Sequence, residues 1–213
     1  MSRKRLTAWA CALLAAGAMT MSGAGAASAE PVGVQGLPTF LGVKFVDEGN
    51  NGQCLGPRDG AWVTNPNATA ALRLDSDNRA GGCQLSFGIG DIDGSLAGLH
   101  VTYQLMPHVG AHSGQCGDNW NENVVPVGSS FTFGEPVRID SDSRPGWCDL
   151  TFRVSGRNDV VLEVLFTAEN GTGQCIGASS GWQPVVAGLP LTIGIDTDGR
   201  PGGCGLALRL TKY

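Results

Sequence analysis

The sequence has 213 residues, with 14 basic side chains against 19 acidic ones and a formal net charge of −5. Only 15% of the residues are charged and 33 are glycine, a composition typical of strands joined by turns rather than of a disordered chain. The length suffices for the core of one domain, and the acidic balance disfavours nucleic acid and anionic lipid as partners.

The first 29 residues have the pattern of a secretory signal peptide. Basic residues at positions 3–5 precede a short apolar run at 6–21, and residues 27–29 form an A-x-A cleavage site. A membrane anchor is the alternative, but no other run approaches the roughly 18 apolar residues that span a bilayer. We expect cleavage near Ala29 and secretion of residues 30–213 without membrane insertion. That chain would keep 11 basic and 19 acidic residues, a net charge near −8.

Six cysteines follow the leader, and an even number in a secreted chain indicates disulfide bonds. They are Cys54, Cys83, Cys116, Cys148, Cys175 and Cys204. No C-x-x-C pair occurs, so neither a zinc knuckle nor a thioredoxin-type redox site has support in the sequence.

An internal repeat organises the chain. The tripeptide Gly-Gln-Cys occurs three times, each time followed by a tryptophan and by an acidic turn that ends at a second cysteine. The turns read LRLDSDNRAGGC, VRIDSDSRPGWC and IGIDTDGRPGGC. This recurrence predicts three units of about 60 residues within a single domain. The units lie at approximately residues 40–91, 98–156 and 160–213.

Within a unit the apolar residues alternate as they do in strands. In the second unit, for example, Leu150, Phe152 and Val154 would share one face. Four strands in each unit predict an all-β, pseudo-threefold domain, a β-trefoil or a β-prism-like fold, whose three repeats share one core and protect their edges. This architecture resembles that of the threefold β lectins, although the Q-x-W signature of ricin-type trefoil lectins is absent from every unit.

Two symmetric disulfide arrangements are compatible with three equivalent units. Pairing within units joins Cys54 to Cys83, Cys116 to Cys148 and Cys175 to Cys204. Pairing between units joins Cys83 to Cys116, Cys148 to Cys175 and Cys204 to Cys54. We favour one disulfide within each repeat, because a duplicated module would need to be self-sufficient.

The acidic turn has a structural and a calcium-binding interpretation. In the structural one, the first Asp caps the turn, Pro-Gly or Gly-Gly supplies the backbone angles, and the Arg folds back on an Asp. The D-x-D spacing also resembles the start of a calcium loop. However, an arginine stands at the fifth position, where an oxygen ligand would be needed, and no downstream Glu completes the set. No metal site is therefore expected there.

Carbohydrate binding is the third interpretation of the repeated residues. An aromatic face suits the C–H groups of a sugar, and carboxylates and guanidinium groups hydrogen-bond its hydroxyls. Three such surfaces could act together by avidity. The alternative role for each tryptophan is packing against the disulfide. The predicted ligand-binding residues are Trp62, Asp75, Asp77, Arg79, Trp120, Asp140, Asp142, Arg144, Trp182, Asp196, Asp198 and Arg200.

Catalytic signatures are not found in the sequence. The three histidines are His100, His108 and His112, and the pair His108–His112 imitates a metal-binding spacing. Pro107 and Gly110 would break the helix that this spacing requires, and the acid of H-E-x-x-H is missing. Nucleophile motifs and phosphate-binding loops are absent as well. We expect neither an enzyme nor a bound cofactor.

The sequence thus predicts a secreted, non-catalytic, lectin-like protein that engages extracellular glycans through repeated Trp/Asp/Arg surfaces. The alternative is a protein-binding adaptor, inhibitor or assembly subunit of a secreted complex. Two departures from the repeat predict that the units have not kept equal roles. Gly194 stands where the other units have Arg73 and Arg138, and Trp147 replaces the glycine found at positions 82 and 203.

Overall fold

Strands joined by turns make up the part of the chain that a computed structural model describes. The described residues are 39–49, 52, 54–55, 61–64, 70–75, 81–111, 116–140, 146–169, 173–196 and 202–212. These ranges contain no α-helix, so the predicted all-β class is confirmed. None of their elements is a helix of the length and hydropathy that crossing a membrane requires. The predicted signal peptide, residues 1–29, lies outside the described residues.

Each sequence unit contributes five strands in the described ranges, one more than the alternation of apolar residues predicts. The first unit contains β1 (Thr39–Asp47), β2 (Cys54–Leu55), β3 (Ala61–Thr64), β4 (Ala70–Asp75) and β5 (Gly82–Asp91). The second contains β6 (His100–Pro107), β7 (Asn123–Val125), β8 (Val127–Gly128), β9 (Val137–Asp140) and β10 (Trp147–Ser155). The third contains β11 (Val160–Ala168), β12 (Cys175–Ile176), β13 (Gln183–Val185), β14 (Leu191–Asp196) and β15 (Gly203–Lys212). The additional strands have two residues, which is too short for an alternating pattern.

The strands form three five-stranded sheets that do not coincide with the sequence units. Sheet A has the order β3-β1-β5, with β8 and β9 both pairing with the far edge of β5. Sheet B has the order β13-β11-β15-β4-β2, and sheet C the order β12-β14-β10-β6-β7. Every sheet therefore takes strands from two units. The sheet order does not confirm three self-contained four-stranded repeats.

The core lies between the sheets, and strict alternation of side chains defines its boundary. In β10, Leu150, Phe152 and Val154 are buried while the residues between them face outward. Phe87 of sheet A meets Tyr103 and Phe152 of sheet C edge to face, with ring centroids 4.8 and 5.3 Å apart. Such aromatic pairs add packing energy beyond the area that they bury. One continuous cluster of buried residues joins all three sheets.

Three disulfide bonds join the cysteines within units, as favoured from the sequence. They connect Cys54 to Cys83, Cys116 to Cys148 and Cys175 to Cys204, with Cα–Cα distances of 5.9, 5.6 and 5.6 Å. The second cysteine of each pair is the second residue of a long strand, β5, β10 or β15. Each bond therefore fixes the loop after Gly-Gln-Cys to the start of the last strand of its own unit.

Candidate functional site

The predicted acidic turns fall largely outside the described residues. The predicted site residues that lie there are Asp77, Arg79, Asp142, Arg144, Asp198 and Arg200. Trp62 and Asp75 are described only as backbone positions, in β3 and at the end of β4. Four of the predicted residues are described with their side chains: Trp120, Asp140, Trp182 and Asp196.

The two described aspartates are buried at the ends of strands. Asp140 is 8% exposed and Asp196 is 7% exposed. The carboxylate of Asp140 accepts a hydrogen bond of 2.8 Å from Nη1 of Arg138, two residues earlier in the same strand. Both aspartates therefore lie below the surface.

The three tryptophans do not occupy equivalent positions. Trp62 of β3 pairs with Gly42 of β1. By strand register, the equivalent positions in the other two units are occupied by Val124 and Pro184, not by tryptophan. Trp120 is 41% exposed, and its indole N–H donates to the carbonyl of Gly117 at 2.7 Å.

Trp182 is half-buried beneath a guanidinium group. The Cζ atom of Arg209 lies 4.2 Å from the ring centroid of Trp182, and Nε of Arg209 lies 2.6 Å from Oε2 of Glu163. A cation over an indole is a favourable contact. The structure thus joins Trp182 to an Arg and a Glu that were not among the predicted site residues.

Beside each disulfide, the end of the first long strand of a unit meets the start of its last long strand. We call this place the corner of the sheet, and the three corners share one backbone hydrogen bond. In the corner of sheet A, the amide of Glu48 donates to the carbonyl of Gly82 at 2.9 Å. The Glu48 carboxylate binds Nε and Nη2 of Arg138 at 2.9 and 2.7 Å and accepts a bond from Gln84. The Arg138 hydrogen bonds, assisted by the bond from Gln84, lower the pKa of Glu48 below its ordinary 4.5 despite partial burial. The same bonds raise the pKa of Arg138.

The corner of sheet B repeats this ion pair. The amide of Glu169 donates to the carbonyl of Gly203 at 2.9 Å, and its carboxylate binds Nη2 of Arg73. A Cβ atom on Gly203 would lie 3.1 Å from Nε of Arg73, so the glycine leaves room for the guanidinium. Gly82 is equally close to Arg138 in the corner of sheet A.

The corner of sheet C replaces the ion pair with two stacked rings. The amide of His108 donates to the carbonyl of Trp147 at 2.9 Å, the same backbone bond as in the other corners. The rings of His108 and Trp147 stack with centroids 3.8 Å apart. Asp149 holds both rings, accepting from the Trp147 indole at 2.9 Å and lying 2.8 Å from Nδ1 of His108. Trp147 covers Gly194, which stands where the other corners have their arginine.

The outer face of sheet A is partly covered by the chain itself. The amide of Gly134 donates to the carbonyl of Phe87, and the ring of Phe131 lies so close to Gly90 that a Cβ there would be 2.6 Å from Cε1. Ser86 and the glycines of β5 are consequently buried. An open cavity of about 360 Å³ remains on this face, with Lys44, Gln84, Ser86 and Thr132 in its lining.

The outer face of sheet C presents polar side chains to solvent. Thr151 and Thr192 lie side by side on β10 and β14, with their hydroxyl oxygens 2.9 Å apart. Gln104 of β6 pairs with Thr151 and donates to the carbonyl of Trp120 at 2.8 Å. A row of hydroxyl and amide groups therefore runs across the sheet and ends beside the exposed Trp120.

An open cavity of about 380 Å³ lies at one end of this face. Its lining includes His100, Thr102, Glu122, Arg153, Leu189 and Pro190. Nη1 of Arg153 lies 3.6 Å from Oε1 of Glu122, which also accepts a hydrogen bond from the Thr102 hydroxyl. Leu189, 67% exposed, adds an apolar wall from the turn before β14. The cavity thus combines a guanidinium, a carboxylate, a hydroxyl and an imidazole with an apolar surface.

The charged residues of these outer faces are not among the site residues predicted from the sequence. Arg153 and Arg209 each follow the second cysteine of their unit by five positions, where the first unit has Gly88. That spacing is the signal that could have revealed them. Their partners Glu122 and Glu163 come from different strands or turns, so only the strand register brings each pair together.

No family model, curated protein or solved structure matches this chain. Among the described residues, no three His, Cys, Asp or Glu side chains are grouped so as to hold a metal ion. The site is therefore interpreted from its own chemistry.

Proposed function

We propose that this protein is a secreted, non-catalytic, lectin-like protein that binds glycans on the outer face of sheet C. The observation that carries the proposal is the open cavity beside Thr102, Glu122 and Arg153, continued by the row of Gln104 and Thr151. Planar charged groups and hydroxyls hydrogen-bond sugar hydroxyls, and an exposed indole such as that of Trp120 suits sugar C–H groups.

The proposal keeps the chemistry predicted from the sequence but moves it to other residues. A tryptophan, an arginine and a carboxylate occur on the outer faces of both sheet B and sheet C. On sheet B, the guanidinium of Arg209 lies over Trp182, and its Nε forms a 2.6 Å contact with Oε2 of Glu163. On sheet C, Arg153 is exposed and its 3.6 Å contact with Glu122 is long. Sheet C is therefore the better candidate for binding.

We also propose a pseudo-threefold, β-prism-like arrangement of the three sheets. Support comes from strand pairing in which the last strand of one unit always accepts the fourth strand of another. These pairs are β5 with β9, β10 with β14, and β15 with β4. Such a closed cycle would leave no unit as a free end.

Secretion after cleavage near Ala29 is part of the proposal. Three disulfide bonds in a small β domain are typical of extracellular proteins, because the cytosol keeps thiols reduced. The basic and apolar pattern of residues 1–29 agrees with this compartment.

Binding to a glycan array and to insoluble cell-wall polysaccharides, with tryptophan fluorescence as a second readout, tests the function. We expect binding that Arg153→Gly weakens, since this change installs the residue found at position 88 of the first unit. Lys44→Ala, which removes a cation from the outer face of sheet A, is the matched control and should bind as the unchanged protein does. Failure to bind any glycan, together with a protein that co-purifies from the culture supernatant, would favour the adaptor alternative.

A further inference from the structure

We infer that the outer face of sheet C binds an uncharged, linear polysaccharide along its strands, with the His108–Trp147–Asp149 corner as one end of the binding face. This inference rests on the proposed glycan-binding function and names the ligand class of the same face. Two independent features support it: the distribution of binding groups along β10, and the replacement of an ion pair by stacked rings at this corner alone.

The binding groups are spread along the full length of β10. Trp147, Asp149, Thr151, Arg153 and Ser155 alternate with buried residues and therefore share the outer face. An antiparallel strand rises about 3.4 Å per residue, so the distance from Trp147 to Ser155 is roughly 27 Å. A face of this length exceeds the needs of a single terminal sugar and suits several linked sugars.

The cavity and the corner lie at opposite ends of this face. Ser155 pairs with His100 at the cavity end, and Asp149 pairs with Met106 at the corner end. Between them, Thr151 pairs with Gln104 and Thr192. A ligand that lies along β10 would therefore meet a charged and apolar cavity, then hydroxyls and an amide, then aromatic rings.

The aromatic corner belongs to the sheet whose outer face carries the polar row of Gln104, Thr151 and Thr192. Glu48 and Arg138 close the corner of sheet A with an ion pair, and Glu169 and Arg73 do so in sheet B. In sheet C, His108 stands at the position of the two glutamates, Trp147 stands at that of Gly82 and Gly203, and Asp149 fixes both rings. Rings that are already held in place lose little side-chain freedom when a ligand binds. The replacement places two part-exposed aromatic rings at the end of the polar face.

The charges on this face argue for an uncharged chain. Arg153 lies beside Glu122, and His108 lies beside Asp149, so both of these bases face a carboxylate. An acidic polysaccharide would be repelled by these carboxylates and by the net negative charge of the protein. A basic polysaccharide would bring its cations against the guanidinium of Arg153 in the cavity, although the net negative charge of the protein would attract it at long range. Hydroxyl-rich neutral sugars avoid both costs and use the same donors and acceptors.

Titration calorimetry with a size ladder of soluble neutral oligosaccharides, from disaccharide to octasaccharide, tests the inference. The ladder is prepared from whichever neutral polysaccharide the glycan screen identifies, or from cello-, xylo- and manno-oligosaccharides in parallel. We expect the affinity to rise with chain length until the chain spans the face. Trp147→Gly, which installs the residue of the other two corners, should weaken the binding of the longest chains about tenfold, the effect of losing one aromatic contact. It should leave disaccharide binding unchanged.

His108→Ala is the second variant, because it shortens the aromatic surface without opening a space against Gly194. It should weaken long chains by a smaller factor, and Lys44→Ala should weaken neither long nor short chains. Equal affinity for all chain lengths, or equal losses for short and long chains, would overturn the inference while leaving glycan binding intact. Stronger binding of polygalacturonate than of neutral chains would also overturn it. Absence of binding to every sugar would overturn the proposed function and the inference together.

Discussion

Trp147 lies over Gly194 so closely that a Cβ atom at position 194 would stand 2.8 Å from Cδ1 of the indole. The other two corners reverse this relationship, with a glycine on the long strand and an arginine on its neighbour. In sheet C the large side chain, Trp147, lies on the long strand β10, and the glycine, Gly194, lies on the neighbouring strand β14. The two departures from the repeat are therefore one compensated change at a single contact.

Gly194→Ala should destabilise the protein by about 1–3 kcal/mol, because the new methyl group meets Trp147 on one side and Ile176 at 2.9 Å on the other. The cost should fall when Trp147 is already glycine, which a double-mutant cycle of urea unfolding measures. Gly181→Ala is the control, since a Cβ there meets nothing within 4 Å. Equal costs of Gly194→Ala in both backgrounds would contradict the coupling.

Glu48→Gln should reduce stability near neutral pH but not under acid conditions. Arg138 holds the pKa of Glu48 below 4.5 in the folded protein, so the ionised form stabilises the fold. This contribution is present above pH 4.5 and is lost as the pH falls through the lowered pKa. Unfolding free energies measured across the acid range should therefore converge for the two proteins. For Glu135→Gln, a change at an exposed carboxylate, the unfolding free energy should vary with pH as it does for the unchanged protein. A difference for Glu48→Gln that persists in acid would refute this account.

Tyr103→Phe should lower the stability of the fold at neutral pH and make that stability less dependent on pH in the alkaline range. Burial raises the pKa of Tyr103 to about 12, and its hydroxyl donates to the carbonyl of Glu135. Because the folded pKa lies above the ordinary 10.0, the stabilisation is complete below pH 10.0 and is lost as the pH rises toward 12. The variant should lose about 1 kcal/mol near neutral pH through the missing hydrogen bond. Its stability should then fall less steeply above pH 10.0, and identical alkaline slopes would count against the assignment.

The double change Cys116→Ser and Cys148→Ser should cost about 3–4 kcal/mol, because the bond closes a loop with a sequence separation of 32. The bond also anchors the start of β10 beside the rings of His108 and Trp147. Chemical denaturation measures the cost, and the equivalent change at Cys175 and Cys204, with a separation of 29, is the matched comparison. Both pairs should lose similar stability, and a negligible loss for either would contradict the chain-entropy argument.

The features predicted correctly from the sequence are the long strands and the cysteine pairing, which leave a pattern in the order of residues. Alternation revealed the long strands that contain Leu150 and Phe152, and the even cysteine count with its repeated spacing led to the pairing of Cys116 with Cys148. These features depend on neighbours in the chain or on the equivalence of the units.

The sequence could not predict which strands pair across units. The pairing of β15 with β4 depends on how the sheets meet in space, and no periodicity within a unit specifies it. For the same reason Arg153 was missed: an arginine at an outward position of a strand is ordinary until the register sets it beside Glu122. Trp147 and Gly194 were noticed separately, and only their position on facing strands explains both.

The pairing of β4 with β15 has a consequence for how the protein reaches its fold. During synthesis β4 emerges long before β15, so sheet B cannot close until most of the chain has left the ribosome. Contacts between residues so distant in sequence slow folding, because the intervening loop must be ordered before the contact forms. We therefore expect slow folding with a late final step, in which sheet B links the first and third units.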